Sequence, residues 1–441
     1  MTTPLKIALV SEHASPLAVL GGVDAGGQNV HVAALADALG GLGHRVTVYT
    51  RRDAMGLAVE VPLRQGVIVH HVPAGPAREM SKDDLLPHMG AFGAYLAARW
   101  ADDPPDIVHG HYWMSGLAAL RGTRGLDIPV VQTFHALGKV KRRHQGPADT
   151  SPPRRIAAET ALGRTCHRII ATCHDEVEEL CSMGLPFSKT RVVPCGVDTE
   201  LFTPRGPAAP RNGRPRLVQI GRLVPRKGAD TAISALASIP GAELVIAGGP
   251  ADDRFEADPE VRRLAALAQR NGVGHRLVLL GGVPREAMPA LLRSADLVVC
   301  PARYEPFGIV PLEAMACGVP VVASSVGGHL DTVADRTTGR LFPAGNAQAL
   351  AAAVNELLAA PHLREHYGAA GRRRVLARYG WHQVAAATER VYEELAAYAF
   401  GLRGARTSAA RGAAPGGNRA PGKGTAPGNG SGTGTTTGAA G

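Results

Sequence analysis

Aromatic side chains are scarce in this chain. Phe, Trp and Tyr together make up 4% of its 441 residues, so any core must be filled by small and branched aliphatic groups. Missing too is an uncharged apolar run of about 18 residues, which excludes a transmembrane helix from the expected architecture. Met1 to Val10 lacks the basic, apolar and cleavage-site succession of a signal peptide, and Lys6 interrupts what reads as a first strand, so the cytoplasm is the expected location. Cys166, Cys173, Cys181, Cys195, Cys300 and Cys317 form no C-x-x-C pair. That spacing argues against a zinc site, and disulfide frameworks belong to much smaller secreted chains. They read as small buried hydrophobes.

What is present suits two domains. Apolar residues make up 45% of the chain, enough for two cores of roughly 200 residues each. The net charge is +10, but Arg403, Arg406, Arg411, Arg419 and Lys423 fall in a terminal segment with no acidic residue. About +5 remains for the globular part. A surplus of that size suits phosphate-bearing ligands and does not predict nucleic-acid binding.

Short β-rich runs alternate with helical stretches, the pattern of parallel sheets with crossover helices. In the first half, strands are predicted at 6–10, 45–50, 67–72, 106–111, 130–135, 168–173 and 191–194. A helix over 27–42 presents Val30, Ala34, Leu35, Ala38, Leu39 and Leu42 on one face. The Pro/Arg/Gly-rich segment 202–214 marks a linker. A second series follows at 216–221, 244–248, 277–281, 296–301 and 320–324, then helices at 347–360, 363–377 and 382–399. The predicted architecture is α/β: two Rossmann-like domains, 1–205 and 206–378, facing across a cleft. A crossover helix (379–403) and a disordered basic tail (404–441) complete it.

The strongest motif is R-Y-E-P-F-G-I-V-P-L-E-A-M-A-C-G-V-P-V-V-A-S at 303–324, directly after a strand, where doubly wound sheets place ligands. Glu305 stands in the loop and Glu313 lies about two turns into the helix that Gly308 opens. Two such carboxylates can accept from different sugar hydroxyls, with Phe307, Gly308 and Ile309 between them and the helix N-terminus turned to phosphate. The blander reading is a capped helix with one surface Glu. Gly221-Arg222-Leu223-Val224-Pro225-Arg226-Lys227-Gly228 follows the first strand of the second domain. A tight turn offering Arg222 as a bidentate donor and Lys227 as a point charge suits a pyrophosphate, although alone it could be a basic surface loop. Gly281-Gly282-Val283-Pro284 is a third strand-end turn, where backbone near Val283 could approach a base.

These segments resemble the retaining family 4 glycosyltransferases of the GT-B fold. The E-x7-E spacing of 303–324 looks like that family's signature, and 221–228 is similar to its G-R-L-x-x-x-K-G segment. The likeness extends to about residue 400. It implies that Arg222 and Lys227 hold a nucleotide diphosphate, Glu313 its ribose and Glu305 the transferred sugar. The helix at 379–398 would cross back to the first domain.

On the other side of the cleft, Asp24-Ala25-Gly26-Gly27-Gln28-Asn29-Val30-His31 puts two glycines before a helix, where N–H groups can approach phosphate or sugar. A bare Gly-Gly pair is more often only a turn. The segment resembles one shared by sucrose-phosphate synthases and by the inositol-phosphate N-acetylglucosaminyltransferases of mycothiol synthesis. In the latter, positions like Lys82, Tyr112 and the Arg at 154 or 155 grip the acceptor phosphate. One hydroxyl residue of that grip falls where this chain has Ala136, so the resemblance leaves the acceptor unnamed. His135 sits at a strand end, usually a structural place; the family puts a His there against the reacting sugar. His109 and His111 raise a metal pair, but no third ligand is in view.

The expectation is therefore a cofactor-free hexosyltransferase. Its partners are a nucleotide-sugar donor, UDP by resemblance, and a small phosphorylated sugar or polyol; no nucleic acid is expected. No D-x-D closes a strand: Asp102-Asp103 and Asp252-Asp253 lie beside Pro-rich or loop sequence. The charge run Lys139-Val140-Lys141-Arg142-Arg143-His144 reads as a solvated loop, with acceptor phosphate or an anionic membrane as alternatives. A lipid-linked inositol acceptor, with peripheral membrane contact, is the second reading. A polyanion binder using the basic tail is the third, with salt-sensitive binding lost on deleting 404–441. An epimerase of the same fold and a homodimer stay open.

Overall fold

The computed structural model describes residues 3–17, 27–250 and 255–412. Gly26, the Asp252-Asp253 pair and 413–441 lie outside the described residues.

The first domain is built on β1 (Lys6–Val10), β2 (Arg45–Arg51), β3 (Glu60–Arg64), β4 (Val67–Val72), β5 (Ile107–His111), β6 (Val130–Thr133), β7 (Arg168–Ala171) and β8 (Thr190–Val192). They lie in the order β3-β4-β2-β1-β5-β6-β7-β8, parallel except where β3 pairs with β4. Leu9, Val48, Val69 and Val108 are wholly buried. Such apolar runs are what a parallel sheet covered on both faces demands. The second domain carries β9 (Arg216–Ile220), β10 (Glu243–Ala247), β11 (Leu277–Gly281), β12 (Leu297–Cys300), β13 (Val321–Ser324) and β14 (Gly339–Phe342). Its order is β11-β10-β9-β12-β13-β14, all parallel.

Each sheet reverses direction of winding once, between β1 and β5 in the first and between β9 and β12 in the second. At such a switch point the crossovers diverge and leave a crevice beyond the carboxyl ends of the strands. Both crevices carry the motifs singled out above.

Two strands escaped the sequence reading. The β3 segment contains Pro62 and alternates exposed and half-exposed residues at a sheet edge; β14 is four residues long and opens with Gly339 and Arg340. The linker is also more anchored than its composition implies. Phe202 is fully buried beneath the Arg285 guanidinium, 5.1 Å from the ring centre. Arg293 donates to the carbonyls of Pro207 (2.9 Å) and Thr203 (3.0 Å). Val197 and Phe202 thus pack into the second-domain core, ahead of the expected boundary at 205/206.

The helix Trp381–Gly412 crosses back as expected: Val384, Val391, Tyr392 and Leu395 join the core formed by Ile7, Leu9, Val32 and Leu35. It runs past Gly404, where disorder was expected to begin. The segment 405–411 is rich in Ala and Arg, both strong helix formers, and these offset the cost of the glycine. No helix among the described residues is long and apolar enough to cross a membrane.

Candidate active site

The donor-side turn is fixed by close backbone contacts. Gly221 N donates to Ala247 O at 2.9 Å. Gly228 takes φ 70°, and a Cβ there would stand 2.0 Å from the Pro301 carbonyl oxygen. Only glycine lets the turn lie on the end of β12. Gln219 Nε2 pins the turn by donating to Lys227 O at 3.0 Å, and Arg303 N donates to Arg226 O at 2.8 Å. Two segments far apart in sequence thereby form one surface, with Lys227 Nζ paired to the Glu305 carboxylate.

The two carboxylates differ in state. Burial of Glu305 opposes ionisation, but Lys227, His329 and Arg226 outweigh it and bring the pKa to about 2. For Glu313 burial dominates; Arg285, 3.1 Å away, only partly offsets it, and the pKa rises to about 7. Glu313 lies inside the helix Ile309–Ala316, which Gly308 opens at φ 73°. Arg285 is a residue the sequence reading missed: its signal is weak, a lone Arg two positions beyond Val283. Val283 itself is half-buried against the second-domain core.

On the acceptor side, Arg155 is the cation that the fold commits. It is buried; its Nε donates to Glu159 at 2.7 Å, its Nη1 to Ser151 Oγ at 3.1 Å and its Nη2 to Ala136 O. Its guanidinium lies 5.1 Å from the centre of the Tyr112 ring. Glu159 is held in turn by the backbone N–H of Gly138 at 2.9 Å. Arg154 is exposed and does not line the cleft. Asn29, Lys82, Tyr112, Arg155 and Arg222 line one cleft together. Gln28 Nε2 donates to His111 O and to Ser11 Oγ, each at 3.3 Å, and Asn29 Nδ2 to Ser15 O at 3.1 Å, so both amides hold loops. A Cβ on Gly27 would stand 3.3 Å from Ile309 Cδ1.

Glu12 and His13 also line this cleft and were not foreseen. Glu12 is buried, accepts from Ser115 Oγ and pairs with His13 Nδ1 at 2.8 Å; the His13 ring lies 4.9 Å from Tyr112. Their position just after β1, at the switch point, was the available signal.

His135 adopts φ 61°, unusual for a residue with a side chain, and meets Phe307 of the second domain edge to face at 5.5 Å. Nitrogens of His31, His111 and His135 lie within 4.8 Å of one another, a metal-like spacing. The His109–His111 pair weighed and set aside from sequence is not part of it, because His109 is bonded to Tyr392 Oη (2.7 Å) and Thr133 Oγ1 (2.9 Å). A ligating imidazole normally uses its second nitrogen on a carbonyl or carboxylate. Among the described residues His111 Nε2 and His135 Nδ1 have no partner, and His111 Nδ1 to His135 Nε2 is 2.9 Å, a hydrogen bond. The set fits neutral, hydrogen-bonded rings better than a metal centre.

The donor loop is gripped from across the cleft. Thr172 Oγ1 and Cys173 Sγ donate to Pro306 O at 3.4 and 3.5 Å. The Tyr304 ring stacks on His144 at 5.1 Å. His174 meets Asp331 through its backbone N–H (2.6 Å) and its ring (3.0 Å). The charge run expected as a loop is the helix Gly138–Gln145. Arg143 pairs with Glu179, Lys141 with Asp149 at 3.0 Å, and Lys139 donates to Ser182 Oγ at 2.6 Å. Two local acidic partners, Glu179 and Asp149, help to order the run.

Known proteins carry the same plan. The family model described as "Glycosyltransferase Family 4" matches residues 25–201, and "Glycosyl transferases group 1" matches 205–374. A D-inositol 3-phosphate glycosyltransferase of Xylanimonas cellulosilytica is 35% identical over 406 residues, 88% of this chain and 96% of that one. Its counterpart in Mycolicibacterium smegmatis is 36% identical over 369 residues, 81% and 84% of the two chains. Among solved structures, the sucrose-phosphate synthase of Thermosynechococcus elongatus superposes with a TM-score of 0.80 at 31% identity, covering 89% of this chain and 99% of that one. With the E-x7-E loop and the basic glycine turn joined at one crevice, and with relatives matched over nearly their whole length, the chain belongs to the family 4 glycosyltransferases of the GT-B fold, enzymes that use nucleotide sugars.

Proposed function

We propose that the protein is a retaining transferase that moves a hexosyl or N-acetylhexosaminyl group from a UDP-sugar to a hydroxyl of a small phosphorylated sugar or polyol. The observation that carries this reading is Arg155, buried and orientation-locked yet lining the same cleft as Lys82, Tyr112 and Arg222. A planar guanidinium fixed at Nε, Nη1 and Nη2 by Glu159, Ser151 and Ala136 is held in one orientation, and its remaining N–H groups suit a phosphate. The relatives named for D-inositol 3-phosphate support a phosphorylated polyol in that place.

In this reading the bond from the anomeric carbon to the diphosphate oxygen breaks, and the acceptor oxygen bonds to the same face. The acceptor proton passes to the leaving phosphate oxygen, so no separate protein base is needed. Arg222 and Lys227 offset the charge that develops on the diphosphate, help that is greatest in the transition state. Glu305, ionised at all ordinary pH, accepts from a hydroxyl of the transferred sugar, and Glu313 from the ribose. The ion pairs of Lys141 with Asp149 and of Arg143 with Glu179 count against a lipid-linked acceptor, since a membrane-binding run draws on free cations.

The test is an array of UDP-, GDP- and ADP-sugars against inositol phosphate, hexose phosphates and lipid acceptors, scored by nucleotide release and product mass. UDP release with a phosphorylated polyol or sugar is expected. Release with lipid acceptors alone would overturn the reading. Lys227→Ala and Arg222→Ala are expected to abolish transfer; at the exposed Arg222 stability should stay within about 1 kcal/mol of the parent, whereas Lys227→Ala also strips the buried Glu305 of its partner and should destabilise the fold. Near-normal turnover in either would sink the donor-site roles.

A further inference from the structure

Four buried histidines cluster in the first domain: His31 on the helix Gly27–Gly41, His109 and His111 on β5, and His135 just past β6. Burial holds all four below the ordinary imidazole range, to about 4 for His31 and about 3 for His109. Each ring is therefore neutral near pH 7, with one N–H and one bare nitrogen. His109 has partners on both nitrogens, and His31 Nδ1 lies 3.3 Å from Cys195 Sγ. Among the described residues, the side chains of His111 and His135 hydrogen-bond each other at 2.9 Å, and the remaining nitrogen of each has no partner there.

That contact allows two proton arrangements. If His135 Nε2–H donates, His111 keeps an N–H at Nε2, an orphaned donor on a ring with no exposed surface. If His111 Nδ1–H donates, His111 Nε2 is only a bare lone pair, and the unpaired N–H moves to His135 Nδ1. Either way one N–H is left over, on the wholly buried His111 ring (0% exposed) or on His135 (4% exposed), and buried N–H groups are rarely left without a partner. His135 is also the ring that meets the second domain, at Phe307 in the donor loop. There a free N–H has a ligand oxygen to find.

We propose that His111 is a positioning residue: its Nδ1–H donates to His135 Nε2 and fixes His135 as the tautomer that offers Nδ1–H to an oxygen of the transferred sugar. The sugar, and with it the oxygen that would satisfy the His135 N–H, rests on the functional reading above. His135 then polarises without carrying charge, and the rings around it set which nitrogen faces the reaction.

The full chain labelled with 15N-histidine decides the tautomer, with the His135 signals identified by their loss in His135→Gln. Protonation on Nδ1 and a bare Nε2 are expected in the parent. His111→Leu removes the donor. His135 should then shift toward Nε2–H, and kcat should fall about tenfold, the worth of one hydrogen bond, with little change in KM. His111→Asn, which keeps a side-chain N–H, should restore both. A parent protein with His135 protonated on Nε2 overturns the inference, as does a His111→Leu variant with tautomer and kcat unchanged. A parent that transfers no sugar from any nucleotide sugar sinks the functional reading instead, while its spectrum still decides the tautomer.

Discussion

At the scale of single residues, the two carboxylates of the E-x7-E motif are predicted to respond to pH in different ranges. Glu313 has a pKa raised to about 7 by burial, so it takes up a proton as the pH falls through that value. A protonated carboxyl accepts more weakly from ribose hydroxyls, so donor KM should rise on the acid side of pH 7 while Glu305 stays ionised. Glu313→Gln should raise KM and remove this pH dependence; initial rates from pH 5.5 to 8.5 would show it. Arg155 allows a second comparison. Arg155→Lys keeps the charge but cannot reproduce the fork, and should raise acceptor KM by about tenfold or more. Arg154→Ala, on an exposed neighbour, should leave KM within about twofold. Equal effects in the two variants would return the acceptor grip to an open question.

At the scale of elements, the glycine turn depends on its backbone more than on its charges. Gly228→Ala forces a side chain into positive φ and against the Pro301 carbonyl. The turn must lift away from β12, and donor affinity should fall by about a hundredfold or more, measured by titration with UDP, while far-UV spectra stay unchanged. The same elements show what the sequence could convey. The buried parallel strands were legible because two covered faces demand unbroken apolar runs, as in Leu297–Cys300. The edge strands β3 and β14 were not, since one flank meets solvent and the apolar signal thins. Motif residues close in sequence, such as Arg222 and Lys227, were readable from spacing alone. His13 and Arg285 were not, because their meaning lies in partners, Tyr112 for the one and Glu313 with Phe202 for the other, that only folding brings together. The basic run misled for the same reason: Glu179 and Asp149, distant or unremarkable in sequence, turn a solvated loop into an ordered helix.

At the scale of the whole molecule, contacts across the cleft concentrate on the loop that carries Glu305 and Phe307. Asp331→Asn, which weakens the contact with His174 without altering any proposed ligand group, should raise donor KM by about three- to tenfold. The effect should grow less than additively with Thr172→Ala, because both act on the same closure. Steady-state kinetics of the single and double variants would measure that coupling.

The grip on Pro306 has one more consequence. In the proposed reading the loop contacts the donor on one side, and it meets the opposite domain on the other, which makes the two events thermodynamically reciprocal: whatever free energy the donor lends to closure, closure lends to the donor. A sugar nucleotide that lacked only the group meeting Glu305 would thus lose more affinity than one hydrogen bond is worth. The spent nucleotide, having given up its sugar, would loosen the clasp that had confined it, so that the chemistry itself opens the way out.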